Sequence, residues 1–176
     1  MKRTLFAVFI LLSARITVFA QSTITHSVIS FKIKNLGITT NGTISGLQAT
    51  AHFDPQNPGT AKIDASVDVN TINTDNSLRD SHLKDEDYFD VAQFPKITLK
   101  SVSIKNDGGD KYKGQFNLTI KNKTLPVTIP FTAIKKGDVT VFNGTFTINR
   151  RDYDVGGATL TLSDNVIISI EAEIHD

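Results

Sequence analysis

The 176-residue chain contains no cysteine and no tryptophan, and its charges nearly balance, with 19 Lys and Arg against 18 Asp and Glu. The absence of cysteine excludes disulfide bonds, thiolate metal sites, a cysteine nucleophile and a lipidated N-terminal cysteine. A nucleic-acid-binding protein usually shows a basic excess or a basic stripe, and this chain shows neither. We therefore expect no nucleic-acid partner, and a fold that depends on its hydrophobic core.

Motifs for catalysis or metal binding are also missing. His26, His52, His82 and His175 are scattered, without a His-x-His or His-Glu-x-x-His pair. The sequence has no Gly-x-Ser-x-Gly elbow and no glycine-rich phosphate loop. A metal held by His26 and His175 on paired terminal strands is the weaker alternative. We predict no cofactor, no metal site and no enzymatic activity.

The N-terminus has the layout of a secretory signal peptide. Lys2 and Arg3 precede an apolar stretch from Leu5 to Leu12, and Val18-Phe19-Ala20 forms a small-residue exit. The apolar stretch is shorter than the roughly 20 residues that a membrane span needs. We predict cleavage after Ala20, which divides the chain into a signal peptide (1–20) and one domain (21–176).

Export as a periplasmic or secreted protein follows from that signal. The first 20 residues carry three of the basic residues, so the mature chain has 16 basic against 18 acidic residues, a net charge of −2. No later stretch is apolar enough to span a bilayer, so we expect no transmembrane segment after cleavage. The mature chain is long enough for one domain with a sizeable core.

Alternation of apolar and polar residues predicts an all-β protein. The eight candidate strands are 29–33, 47–53, 63–69, 97–104, 112–120, 125–131, 142–148 and 166–174. Turn signals at 57–59, 106–109 and 136–138 join antiparallel neighbours. An up-and-down barrel would remove the exposed strand edges. A two-sheet sandwich has the same alternation and stays open as an alternative.

One long connection, from Thr71 to Pro95, interrupts this meander between the third and fourth candidate strands. Ser77 followed by Asp80 resembles a capping box, so we predict a short helix there. Helical spacing places Leu78, Arg79, His82, Leu83 and Glu86 on one side. That side is expected to face the barrel.

Several motifs together resemble the YceI family. They are Ile33–Gly37, Arg79-Asp80-x-His82-Leu83, Tyr88–Ile97, Leu118–Lys121, Thr124–Val127 and Arg150-x-x-Tyr153-x-Val155-Gly156. The resemblance covers residues 23–175. It implies an eight-stranded, antiparallel, lipocalin-like barrel that holds a polyisoprenoid or another long amphiphilic lipid. Asp154 stands where the family usually has glycine, so a different loop is expected there.

The candidate site is the barrel interior, because an eight-stranded barrel is just wide enough to hold one small ligand. Eleven phenylalanines would supply an apolar lining; filling of a solid core is the alternative. The predicted lining residues are Phe31, Ile33, Phe53, Val67, Leu99, Phe116, Leu118, Ile129, Phe131, Phe146 and Ile168. The candidate headgroup or rim residues are Arg79, His82, Tyr88, Phe89, Arg150 and Tyr153. For Arg79 and His82 the alternative is that they only hold the helix on the barrel.

The expected partner is a long-chain isoprenoid or fatty-acid-like lipid, bound and carried or stored inside the barrel. The functional alternative is a ligand-free structural or stress-related interaction protein of the cell envelope. The sequence leaves the oligomeric state open, a dimer included.

The predicted cleavage is tested by the intact mass of the protein recovered from the periplasm or medium. We expect a chain that begins at Gln21. A mass that retains residues 1–20 would contradict the predicted export.

Overall fold

The computed structural model describes residues 23–175, so the predicted signal peptide lies outside the described residues. The described chain forms one antiparallel sheet and one α-helix, α1 (Ser77–Lys84). The strands are β1 (Thr23–Asn35), β2 (Ile38–Ile44), β3 (Gln48–His52), β4 (Lys62–Asp68), β5 (Lys96–Gly108), β6 (Lys111–Ile120), β7 (Lys123–Lys136), β8 (Val139–Asn149) and β9 (Leu162–His175). Short 3₁₀ helices occupy Pro58–Thr60, Val69–Thr71 and Arg150–Tyr153.

The sheet is a meander wound into a barrel. Its strand order is β2-β1-β9-β8-β7-β6-β5-β4-β3, so sequence neighbours pair everywhere except between β2 and β3. Those two edge strands follow one another in the chain, and β1 pairs with the last strand, β9. The predicted all-β, antiparallel, lipocalin-like barrel with a helix in the long connection is confirmed. The sandwich alternative is wrong, because the strands form a single continuous sheet.

The structure has nine strands where eight were predicted, and the additional strand is β2. Its sequence, ITTNGTI, is polar between its two isoleucines, so the alternation that marks a strand is weak there. The inward surface at Gly42 is supplied by the neighbouring strand, where Phe31 pairs with Gly42. A Cβ built on Gly42 would lie 2.2 Å from Phe31 Cζ, so the ring covers the glycine. The long connection therefore lies between β4 and β5.

The seam between β2 and β3 is held by the start of that connection. Thr43 and Asn73 exchange backbone hydrogen bonds of 2.8 and 3.0 Å. The Thr71 hydroxyl accepts from Ser45 N at 2.9 Å and lies 3.0 Å from Ser45 O. These contacts fix the end of β2 against the chain that leaves β4, although no ladder joins the two edge strands.

One end of the barrel is filled by aromatic side chains. Phe53, Tyr112, Phe131 and Phe142 form this aromatic floor, at the end that carries the β5–β6 and β7–β8 turns. The Phe53 ring lies 5.0 Å from Tyr112 and 5.4 Å from Phe142 between centroids, in edge-to-face geometry, and Tyr112 stacks on Phe131 at 5.5 Å. Such pairs add about 0.5–1.5 kcal/mol each beyond the apolar area that they bury. These four rings thus fill this end of the barrel.

Truncating the centre of the floor should reduce stability strongly. Phe131 contacts four other aromatic rings, so Phe131→Ala is expected to lower the free energy of unfolding by about 3–5 kcal/mol. Urea unfolding followed by circular dichroism measures this. Val102→Ala, on the outer face at 56% exposure, is the control and should change it by less than about 0.5 kcal/mol. A loss below about 1 kcal/mol in Phe131→Ala would show that the floor is not tightly packed.

Candidate functional site

An apolar cavity of about 620 Å³ occupies the barrel between the aromatic floor and α1. Its wall comes from the inward residues of the strands, which recur at every second position. On β1 these are Ile29, Phe31 and Ile33, and the paired strand β9 adds Val166, Ile168 and Ile170. The period-2 pattern that predicts the strands therefore also builds a continuous hydrocarbon surface.

The barrel is packed on one side and hollow on the other. On β6 the inward residues Tyr112, Phe116, Leu118 and Ile120 are 2–4% exposed. Ala172 and Ile174 of β9 are buried as well, but the other inward residues named for β1 and β9 are only half-buried. Most of them pack against the core on one side, and all of them line the cavity, which places unfilled space in front of these two strands.

The cavity opens at the end opposite the floor. The exposed residues of its lining are Asn35, Asn76, Leu78, Arg79, His82, Thr159 and Thr161. They belong to three segments: the end of β1, α1 with its approach, and the loop before β9. We call this ring of segments the mouth. The interior is thus mostly apolar, and its exposed polar groups collect where the cavity meets water.

Helix α1 is tied to its own approach by Arg79 and Asp80. Arg79 Nε donates to Thr74 Oγ1 at 2.7 Å, and Nη2 donates to the Thr74 carbonyl at 2.6 Å. Asp80 Oδ1 accepts from Thr74 N at 2.9 Å. The N-cap is Asn76, whose side chain accepts from Arg79 N, so the predicted Ser77–Asp80 capping box is wrong. Asn76 forms the cap, and Asp80 bonds to Thr74 instead.

Arg79 holds the helix in place, and its contact with a headgroup stays a prediction. Its two bonds to Thr74 use two of its five N–H donors, which holds the helix down. Its exposed side chain also lines the mouth, as does His82. Tyr88 and Phe89, just beyond the helix, are half-buried in the cavity wall. Arg79 therefore retains donors that can reach a polar group entering the mouth.

Arg150 has a different role, because its guanidinium is fully engaged. It is 3% exposed and donates to the carbonyls of Ser163, Val155, Gly157 and Leu162 at 2.9–3.3 Å. A 3.1 Å ion pair with Asp164 uses the fifth donor. Arg150 therefore fastens the loop before β9 to the barrel and has no N–H left for a ligand.

The cavity brings together most of the residues named from the sequence. Ten of the eleven predicted lining residues lie on its wall, and so do Arg79, His82, Tyr88, Phe89 and Arg150. Phe53 does not lie on this wall; it follows the end of β3 and forms part of the floor. Tyr153 does not lie on it either, because it is 2% exposed in the core, where burial and then the Asp152 charge raise the pKa of its phenol. Contact of the wall residues with a ligand stays a prediction.

The sequence did not reveal several wall residues. Thr40 and Ile44 lie on the unrecognised strand β2, and Ala49 and Ala65 are small residues that pair across β3 and β4. The alternation of β3 and β4 could have identified the two alanines as inward positions. No pattern marks Thr40 as part of the wall.

Backbone strain is concentrated at the mouth end. Five non-glycine residues have positive φ: Leu36, Asp75, Asp90, Lys121 and Asp154. All five lie in connections at this end, whereas the turns beside the floor use Gly108, Gly109 and Gly137. Asp154 thus keeps the left-handed conformation expected of a glycine, which an aspartate tolerates better than most residues, and Lys123 contacts its carboxylate at 2.7 Å. Residues in such conformations often cluster at functional sites.

Two further findings concern residues 23–175. They contain no group of three or more His, Asp or Glu side chains placed to hold a metal ion. Within the same range no helix has the length and apolarity to cross a membrane.

Comparisons with known proteins agree with this geometry. Residues 21–174 match the YceI-like domain family. Protein YceI of Salmonella arizonae is 33% identical over 114 residues, 64% of this chain and 59% of the relative, so the matched part spans less than two thirds of that protein. The crystal structure of Burkholderia cenocepacia BcnA superimposes with a TM-score of 0.80 at 28% identity, over 84% of this chain and 95% of that one.

A third similar protein shows the fold alone. It is a polyisoprenoid binding domain from Saccharophagus degradans implicated in plant cell wall breakdown. The TM-score is 0.70 over 88% of this chain and 98% of that one, at 10% identity.

The role of Arg150 in holding the loop before β9 against the barrel is tested by a pair of glycine substitutions. A Cβ on Gly156 would lie 2.7 Å from Tyr88 Cε1 and 3.0 Å from Arg150 Nη1, whereas one on Gly137 meets nothing within 4 Å. Both glycines have positive φ, 68° and 65°, so alanine is strained equally at both. We expect Gly156→Ala to lower the free energy of unfolding by about 1–3 kcal/mol more than Gly137→Ala does. Equal losses in chemical denaturation would show that the contacts around Arg150 are loose.

Proposed function

This chain belongs to the YceI-like domain family, and on that premise we propose that it binds a long-chain amphiphile of the polyisoprenoid type and carries or stores it. The shape of the cavity is the observation that carries the proposal. An apolar tube closed by the aromatic floor and opening at a polar mouth suits a molecule with a hydrocarbon tail and one polar end. The protein acts after export, which the N-terminal sequence predicts.

The size of the cavity is sufficient for a long hydrocarbon chain. If a chain carbon occupies about the volume of a water molecule in the liquid, ~30 Å³, then 620 Å³ holds on the order of 20 chain carbons. The volume also falls within the usual range of ligand pockets, roughly 300–1,000 Å³. A longer tail would extend through the mouth.

Affinity in such a site comes from the tail. Each methylene removed from water contributes about 0.8 kcal/mol, so a dozen give on the order of 10 kcal/mol before the loss of translational and conformational freedom is subtracted. An exposed ion pair between Arg79 and a headgroup adds about 0–1 kcal/mol. Arg79 and His82 are therefore expected to orient the polar end, while the wall retains the molecule.

The polar groups of the mouth support binding and not catalysis. The Thr74 hydroxyl lies against the Asp80 carboxylate, a pairing that can activate a nucleophile. Arg79 Nε donates to the same hydroxyl oxygen, however, and Thr74 is 5% exposed. The oxygen that would attack is thus blocked by the arginine, and the three residues hold α1 in place.

The proposal is tested by titrating the protein with fluorescently labelled geranylgeraniol. Ala49 lines the cavity, so Ala49→Phe should occupy part of the space proposed for the tail and weaken binding by at least tenfold. Thr50→Phe is the matched control, because Thr50 is the next residue of β3 and points outward, and it should bind normally. Arg79→Ala should weaken binding by less than about tenfold.

Circular dichroism must show that all three variants are folded. If folded Ala49→Phe binds as tightly as Thr50→Phe while Arg79→Ala abolishes binding, then recognition is by the headgroup outside the barrel. If the unsubstituted protein does not bind the probe or any longer polyprenol, the ligand-free envelope protein becomes the better account.

A further inference from the structure

The four most exposed large hydrophobic residues of the described chain all lie at the mouth. They are Leu36 at 74%, Ile38 at 73%, Leu78 at 67% and Leu160 at 107%, and we call them the apolar rim. The remaining exposed large hydrophobics, at 39–56%, are scattered over the outer strand faces. Single exposed hydrophobics are normal, but a group beside a pocket marks an interaction surface.

Each residue of the apolar rim adjoins the cavity entrance. Leu78 lines the cavity itself, and Leu160 stands between Thr159 and Thr161, which also line it. Leu36 follows Asn35, another lining residue, and its N–H donates to the Thr161 carbonyl at 2.8 Å. Ile38 pairs with Asn35 across the turn. The rim therefore surrounds the opening on three separate segments.

The backbone conformation of the β1–β2 turn disfavours leucine at position 36. Leu36 and Gly37 connect β1 and β2 with φ of 51° and 78°, the two-residue geometry that favours Asn-Gly or Asp-Gly. A leucine there is disfavoured by its backbone conformation and gains almost nothing from burial, since it is 74% exposed. Nothing within the described fold stabilises a leucine at this position, so its side chain is suited to a contact outside the chain.

Charge is sparse around the same turns. Residues 34–41 and 155–162 carry one charged side chain between them, Lys34. The tips of these two loops could therefore enter the headgroup region of a bilayer without burying a carboxylate, whereas charged residues are costly to insert; around Leu78, Asp75 and Arg79 would stay at the water-facing edge. Shallow insertion of a few apolar side chains from separate loops is a mode by which proteins rest on a membrane without spanning it.

We propose that the apolar rim docks on the surface of a lipid bilayer, so that a ligand tail passes between membrane and cavity without crossing water. This inference rests on the proposed function. Each methylene exposed to water during transfer disfavours the path by about fourfold, the equivalent of 0.8 kcal/mol. Docking the mouth against the bilayer removes that barrier, because hydrocarbon then lies on both sides of the entrance.

The experiment uses a variant that spares the cavity wall. Leu36→Asn, Ile38→Ser and Leu160→Ser are combined, and Leu78 is left intact because it lines the cavity. The control combines Val28→Ser, Val102→Ser and Ile167→Ser, three exposed hydrophobics of the outer strand faces. Leu36→Asn suits its turn, so the rim variant should unfold at a temperature close to that of the control.

Three measurements are made on each protein: flotation with phosphatidylcholine vesicles in the absence of probe, binding of labelled geranylgeraniol in solution, and its transfer between vesicles. We expect the rim variant to bind the probe normally, to float several-fold less and to transfer at least tenfold more slowly. The control should match the unsubstituted protein in all three.

Three results would overturn the docking proposal: transfer by the rim variant at the unsubstituted rate, equal losses in the rim and control variants, or a protein dimer that the rim variant disrupts while vesicles bind neither form. The last result would assign the rim to a second copy of the chain. Failure of the proposed function can be distinguished from failure of the docking proposal. If the proposed function is wrong, the unsubstituted protein does not bind the probe in solution, whether or not it floats with vesicles.

Discussion

The inner surface of the sheet is apolar along its length, yet the chain fills only one end of the space that it encloses. Aromatic rings close the barrel around Phe131, while the inward residues of β1 and β9 face the cavity. An unfilled apolar wall forgoes the dispersion contacts that a packed core makes. A hydrocarbon chain would restore those contacts. The unfilled wall therefore weakens this half of the core, and it also suits the cavity to a lipid tail.

The mouth is rigid where it joins the barrel, mostly polar where it lines the cavity entrance, and apolar at the tips of its loops. Arg150 fixes the loop before β9 through five hydrogen bonds, and Arg79 with Asp80 ties α1 to Thr74. Because the side-chain bonds hold the segments from within, their tips are free to present Leu36 and Leu160 outward. The proposed retention of a tail inside the barrel and its proposed exchange at the entrance would therefore involve neighbouring parts of the mouth.

The sequence predicts this fold well wherever side chains alternate on one strand, and less well where a neighbour supplies the missing contact. The alternation within β2 is too weak to predict a strand, because Phe31 of β1 covers Gly42 and supplies the apolar contact there. That contact joins two strands and leaves no pattern in the sequence of β2. Arg79 and Arg150 were equivalent candidates for a headgroup, yet one is exposed and the other is enclosed by carbonyls. The two arginines are distinguished by the fold, which brings the loop between Val155 and Leu162 back against Arg150.

The central claim, that the barrel interior holds an amphiphile by its tail, is tested most directly by native mass spectrometry of the purified protein after incubation with a polyprenol and removal of excess. The account predicts a species heavier than the chain by one polyprenol, and loss of that increment when Ala49→Phe occupies the cavity. A protein that remains at the mass of the chain alone, with polyprenol present in large excess over the protein, would contradict it.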